Sequence, residues 1–65
     1  MDKIEIGQLR QWRDSPSSSN NGQLFLILNN RGLMHLTTVD YLQDGKIYNA
    51  GGTHVEEYSV VIEND

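Results

Sequence analysis

Apolar residues along this chain recur in short runs that alternate with clusters of Gly, Asn, Asp, Ser and Pro. Such runs are typical of strands bounded by turns, and the spacing of an amphipathic helix is nearly absent. The pattern predicts about five or six short antiparallel strands and at most one 3₁₀ turn, placed over residues 55–58. This is an all-β fold without a helix long enough to pack.

One predicted strand, residues 23–29, does not alternate. Residues 24–28 are all apolar, so the three leucines point to one side while Phe25 and Ile27 point to the other. Only one set can fill the interior, and the other would leave an apolar stripe in water unless something covers it. Three structures could cover this second face: the N-terminal strand through Ile4 and Ile6, a second copy of the chain, or a foreign protein.

Turn signals predict how the strands connect. The "NNRG" stretch at residues 29–32 and the "DG" pair at Asp44 and Gly45 suit tight turns, the latter a type I′ hairpin. Imperfect alternation along residues 33–42 predicts a β-bulge near Thr37 and Thr38. A flexible loop is expected at residues 14–22, which are rich in Ser and Asn.

The predicted order is a long first loop, two hairpins, a single helical turn and a final strand. This is the pattern of a small SH3-like barrel or rolled antiparallel sheet, in one domain spanning residues 1–65. Near the lower size limit for unaided folding, such a chain has a modest stability, on the order of a few kcal/mol.

Composition excludes several classes of protein. The chain has no cysteine, so it has neither disulfides nor a thiolate site. Its longest apolar run is far shorter than the roughly 20 residues of a membrane-spanning helix, and its first residues lack an apolar signal core. We therefore expect a cytoplasmic protein that does not bind a membrane.

Charge divides the chain into unequal halves. Residues 1–32 carry four basic and three acidic residues, whereas residues 33–65 carry one basic and six acidic residues. The acidic half repels phosphate backbones and favours a basic partner, although acidic surface also serves solubility alone.

Catalytic and metal-binding patterns are weak. His54 and Glu56 share a side of an extended segment, but a zinc site needs three or four ligands and His35 is the remaining imidazole. His35 is expected to face solvent. No phosphate-binding loop or nucleophile elbow is present. We expect no enzyme, no cofactor and no metal.

A basic aromatic cluster raises nucleic-acid binding as an alternative. Trp12 lies between Arg10 and Arg13, and Arg31 sits at a predicted hairpin tip. A base stacked on one Trp contributes about 1–3 kcal/mol. Five basic residues are few, however, and the net charge of −4 repels phosphate. The favoured interpretation makes Trp12 a lid of the core, with the arginines paired to acids.

The three tyrosines suit either an interface or the rim of a small barrel. Tyr41 and Tyr48 flank the predicted hairpin and are expected to stand opposite one another across the two strands. Tyr58 is in step with Val60 and Ile62, which favours the core.

The chain also resembles small phage and prophage proteins of SH3-like build. The matching features are Gly7 and Trp12, then Gly22, Phe25 and Ile27, then residues 56–62 with their Glu-containing turn. The resemblance implies an origin on a mobile element and a lack of catalysis, and it transfers no binding residue.

Together these features predict a non-enzymatic protein–protein interaction module. The resemblance adds that it binds and inhibits or modulates a larger host complex, such as a nucleic-acid-handling defence system. The expected partner has a basic surface, or is a second copy in a homodimer. The predicted partner-binding residues are Phe25, Ile27, Asp40, Tyr41, Asp44, Tyr48, Glu56 and Glu57.

Overall fold

The computed structural model describes residues 4–16, 18–33 and 36–63, which form a five-stranded antiparallel sheet and one short helix. The elements are β1 (Leu9–Trp12), a 3₁₀ turn (Ser18–Asn20), β2 (Leu24–Leu33), β3 (Leu36–Gln43), β4 (Lys46–Gly51), α1 (Gly52–Glu57) and β5 (Ser59–Glu63). The prediction of a small all-β fold is confirmed.

The strands lie in the order β4-β3-β2-β1-β5. Two hairpins build one side, and β5 returns to pair with β1 after α1. This is the predicted element order, with one correction: the helical segment before the last strand is a six-residue α-helix, not a 3₁₀ turn over residues 55–58. The longer helix forms because it buries Val55 against the core.

The turn between β3 and β4 is the one that the sequence predicts. Gln43 pairs with Lys46 across a two-residue loop, and Asp44 and Gly45 have φ values of 53° and 76°. Positive φ at both central residues defines the type I′ turn, which matches the twist of the flanking strands.

The prediction of a turn at residues 29–32 is wrong. β2 continues through these residues, and its pairing with β3 extends to Leu33 and Leu36. Side-chain contacts compensate for the weak strand propensity, because Arg31 forms a salt bridge with Asp40 on β3 and Asn30 donates a hydrogen bond to the carbonyl of Ile4 in the N-terminal segment. Met34 and His35, including the expected solvent exposure of His35, lie outside the described residues.

The β-bulge lies on β2, not near Thr37 and Thr38. Ile27 pairs with Tyr41 and Asn29 pairs with Asp40, so Leu28 is the additional residue. A bulge on β2 allows β3 to keep its own alternation, which puts Val39 and Tyr41 together in the core.

The core is built on aromatic contacts. Trp12 stacks on Phe25 with ring centroids 4.3 Å apart, and Tyr41 meets both rings edge to face. The buried apolar residues are Ile4, Trp12, Phe25, Ile27, Val39, Tyr41 and Val55. Tyr58 packs against this cluster, in line with its predicted place.

The N-terminal segment differs from its prediction. Ile4 is buried, but Ile6 is 64% exposed, because the chain turns at Ile6 and Gly7 instead of running as a strand. Gly7 has a φ of 87°, a left-handed conformation that favours glycine.

Candidate interaction surface

An apolar row crosses four strands on the face of the sheet that points away from the core. Strand pairing sets Leu9 beside Leu26, Leu26 beside Leu42, and Leu42 beside Ile47. Directly paired residues project from the same face, so these four side chains are neighbours, and Leu24 joins them two residues along β2. We call Leu9, Leu24, Leu26, Leu42 and Ile47 the apolar band.

The band is open to solvent at two places. Leu24 is 47% exposed and Ile47 is 69% exposed, while the other three leucines are half-buried. On the opposite face of the same strand, Phe25 and Ile27 are each 1% exposed. The band is therefore the second face of the strand that does not alternate.

This orientation corrects two predicted partner-binding residues. Phe25 and Ile27 fill the core, where Phe25 stacks on Trp12, so neither side chain is presented to a partner. The leucines beside them occupy the surface instead. Both sets are apolar, and long-range packing against β1 and α1 decides which of them is buried.

The N-terminal segment does not lie over the band in the described part of the chain. It runs beside β2, where the amide of Gly7 donates to the carbonyl of Ile27 at 2.9 Å. Ile4 enters the core from this position and Ile6 points into solvent. Of the three covers considered for the second face, a second copy and a foreign protein remain.

Polar side chains bound the band at one end. The carboxylate of Asp40 lies 3.2 Å from an Nη atom of Arg31 and accepts a 2.7 Å hydrogen bond from Asn49. Asn29 pairs directly with Asp40 on the same face. Asp40 is thus part of an internally satisfied polar margin beside the apolar surface.

The remaining acidic residues predicted to bind a partner lie on separate elements. Asp44 is exposed at the tip of the β3–β4 hairpin, and Glu57 is exposed on α1 next to the partly buried Glu56. The four predicted acids therefore form no single patch on the band.

Tyr41 and Tyr48 form the expected cross-strand pair, with stacked rings 5.5 Å apart. Tyr41 belongs to the core, whereas Tyr48 is 43% exposed and offers an aromatic surface at the sheet edge. Burial, and secondarily the neighbouring phenol of Tyr48, raises the pKa of Tyr41 above its ordinary value.

The residues of the nucleic-acid alternative do not share a surface. Arg10 and Trp12 are 1% and 2% exposed, and Arg10 donates to Ser59 and Gln8 on the core side. Arg13 is exposed beside Gln11, and Arg31 is paired with Asp40. Trp12 has no free face for base stacking, because Phe25 and Tyr41 occupy its surroundings.

His54 is exposed on α1, with its ring 5.6 Å from Trp12 and 5.0 Å from Tyr58. Among residues 4–16, 18–33 and 36–63, no three His, Asp or Glu side chains are arranged to hold a metal ion. In the same part of the chain, no helix is long and apolar enough to cross a membrane.

Sequence reasoning missed Leu9, Leu42 and Ile47 as surface residues. The sequence does indicate that Leu42 and Ile47 are neighbours, because a two-residue turn at Asp44 and Gly45 places them directly opposite one another. The contribution of Leu9 depends on the pairing of β1 with β2 across the long first loop, which no local pattern specifies.

Comparison with known proteins does not assign the chain to a family. No family model matches it, and neither the search of curated proteins nor that of solved structures finds a match. The geometry of the apolar band is therefore the basis for a functional interpretation.

Proposed function

We propose that this chain is a non-enzymatic protein–protein interaction module that binds a larger partner through the apolar band. The observation that supports this proposal is the apolar band itself, which crosses four strands and in which Leu24 and Ile47 are substantially exposed. Contiguous apolar surface of this kind marks interaction sites on small proteins.

The energetics support a contact at this surface. Full burial of an aliphatic side chain stabilises by about 1.5–3 kcal/mol, so covering the exposed parts of Leu24 and Ile47 adds about 2 kcal/mol to a complex. The Arg31, Asp40 and Asn49 margin supplies polar groups beside them, in the arrangement of an apolar centre with a polar rim.

Charge favours a basic partner. The chain carries a net charge of −4, and the exposed Asp44 and Glu57 flank the sheet. Such a field accelerates the encounter with a basic surface and adds specificity more than affinity. On the basis of the resemblance to small phage proteins, we further propose that this partner is a nucleic-acid-handling host defence complex, which the chain inhibits or modulates.

Site-specific photo-crosslinking tests the proposal. A photoreactive phenylalanine is placed at Leu24, at Ile47, or at the control position Thr53, which is exposed on α1. In cells that produce the chain, we expect one discrete adduct from positions 24 and 47 and none from position 53. An adduct of twice the chain mass identifies a second copy instead, and no adduct, or equal adducts from all three positions, rejects the band as the binding surface.

The electrostatic part has its own control. Asp44→Asn, at the tip of the hairpin that carries Leu42 and Ile47, is expected to lower the adduct yield at low ionic strength and to weaken its salt dependence. The matched control Asp14→Asn removes the same charge at another exposed residue with positive φ. Equal effects of the two variants indicate a net-charge effect without a localised acidic contact.

A further inference from the structure

β4 is an edge strand whose outer side has no neighbouring strand in the described sheet. It stands at the end of the order β4-β3-β2-β1-β5. Every residue of β4 except Ala50 is exposed, including Ile47 and Tyr48 on its two faces. An exposed edge presents backbone N–H and C=O groups that can pair with another strand.

Hairpin geometry identifies which groups point outward. Gln43 and Lys46 close a two-residue turn and exchange hydrogen bonds, so residues of β4 bond to β3 at every second position. Lys46, Tyr48 and Ala50 therefore face β3. The N–H and C=O groups of Ile47 and Asn49 face the open edge, and among the described residues they have no backbone partner.

The two edges of the sheet differ in their protection. β5 pairs with β1 through a register shift between Leu9 and Arg10, which leaves Ile62 unpaired and bends that edge. β4 pairs in unbroken register from Lys46 to Gly51 and carries Lys46 as its one charge and no proline. Bulges, charges and prolines normally prevent edge pairing, and β4 is nearly without them.

We infer that the free edge of β4 receives an extended segment of the partner protein, which adds a sixth strand to the sheet. This inference rests on the proposed function and names the chemistry of its partner. Residues of the added strand beside Ile47 would continue the apolar band, and those beside Tyr48 would cover its ring.

Charge specifies the added segment further. Residues 44–57, which include β4 and its flanks, carry the acids Asp44, Glu56 and Glu57 against Lys46 alone. An extended segment with basic residues complements this surface. A second copy is the poorer occupant, since pairing two β4 edges brings together two chains that each carry a net charge of −4.

Amide hydrogen exchange of the full chain provides the test. The probe is a capped peptide of roughly eight residues in which valine alternates with lysine. At about ten times its Kd, we expect the amides of Ile47 and Asn49 to exchange about tenfold more slowly, because binding depletes the free state by that factor. The outward amides of β5 are expected to remain unchanged.

Proline provides a matched backbone variant. Asn49→Pro removes an outward N–H without removing a bond to β3, and edge strands tolerate proline in that orientation. Asn49→Ala loses the same side-chain contact to Asp40 but keeps the N–H. We expect Asn49→Ala to bind the probe like the wild type and Asn49→Pro to bind at least about fivefold more weakly, the effect of one net hydrogen bond.

Several results would overturn the inference: protection at β5, equal binding by the proline and alanine variants, equal affinity for a probe with glutamate in place of lysine, or no binding. Protection of Ile47 and Asn49 that appears without peptide, together with a dimeric mass by light scattering, assigns the edge to a second copy. Leu24→Ser distinguishes partner binding at the apolar band from strand addition at β4, because Leu24 lies away from β4. If the partner binds the band, this variant lowers the yield of the partner crosslink. Binding of the peptide probe to the β4 edge is expected to remain unchanged.

Discussion

The indole of Trp12 donates a 2.7 Å hydrogen bond from Nε1 to Oε1 of Gln43, which joins β1 to the end of β3. The amide nitrogen of Gln43 in turn lies 3.3 Å from Oδ1 of Asn20 in the first loop. Trp12 is 2% exposed, so Gln43 satisfies a polar group that is otherwise surrounded by aromatic rings. This relationship explains how the single Trp fits a core instead of a binding surface.

Gln43→Leu is expected to destabilise the chain by about 1–3 kcal/mol, because it leaves the buried indole N–H without an acceptor. Gln43→Glu retains an acceptor oxygen and loses the donor to Asn20, so its effect is expected to be smaller. Urea unfolding followed by the fluorescence of Trp12, the one tryptophan, measures both. Equal losses for the two variants would contradict the assigned role of Gln43.

Two adjacent residues of β2 are expected to respond very differently to substitution. Phe25 is 1% exposed and stacks on Trp12, so Phe25→Ala should cost about 3–5 kcal/mol and leave the chain largely unfolded. Leu24→Ser, at a residue that is 47% exposed, should cost about 1 kcal/mol or less. Circular dichroism and urea unfolding distinguish the two. A greater loss for Leu24→Ser means that the opposite face of β2 is buried.

The hairpin turn offers a comparison between two glycines. Gly45 has a φ of 76°, so Gly45→Ala forces an L-residue into a left-handed conformation and should cost about 1–2 kcal/mol. Gly51 has a φ of −69°, and a Cβ there meets no atom within 4 Å. Gly51→Ala is therefore expected to change the free energy of unfolding by about 0.5 kcal/mol or less. Similar values for both variants would show that backbone conformation does not determine the effect at Gly45.

Local chemistry made part of this fold predictable from the sequence. Asp44 and Gly45 specify their turn by themselves, since both accept positive φ, and the turn then fixes the pair of Tyr41 with Tyr48. The turn at residues 29–32 was predicted by the same reasoning and was wrong. There, pairing with β3 and the bulge at Leu28 override the local preference of Asn and Gly.

The candidate surface was less predictable, for a physical reason. Phe25 and Leu24 are both apolar, so periodicity does not say which of them enters the core. The choice depends on Trp12, which stacks on Phe25 after the chain has closed the first loop. For the same reason Arg10, grouped with exposed arginines by its proximity in sequence, is in fact buried, whereas Trp12 lies in the core as the favoured interpretation expects.

Alkaline pH is expected to destabilise the chain through Tyr41. Burial, with a smaller contribution from Tyr48, raises the pKa of Tyr41 in the folded state above its ordinary value of 10.0. Above pH 10, the unfolded chain therefore releases the phenolic proton while the folded chain retains it. The contribution of Tyr41 to stability is therefore fully present below this pH. It decreases as the pH rises toward the folded-state pKa, because the unfolded state binds fewer protons than the folded state.

Urea unfolding at a series of pH values from neutral to strongly alkaline measures this dependence. Tyr41→Phe removes the titrating group and should flatten the alkaline decrease in unfolding free energy, whereas Tyr48→Phe should reduce it only in part, since burial is the larger cause. Tyr48 is 43% exposed and serves as a control for the loss of a hydroxyl group at the same ring pair. An unchanged alkaline decrease in Tyr41→Phe would show that another group is responsible for it.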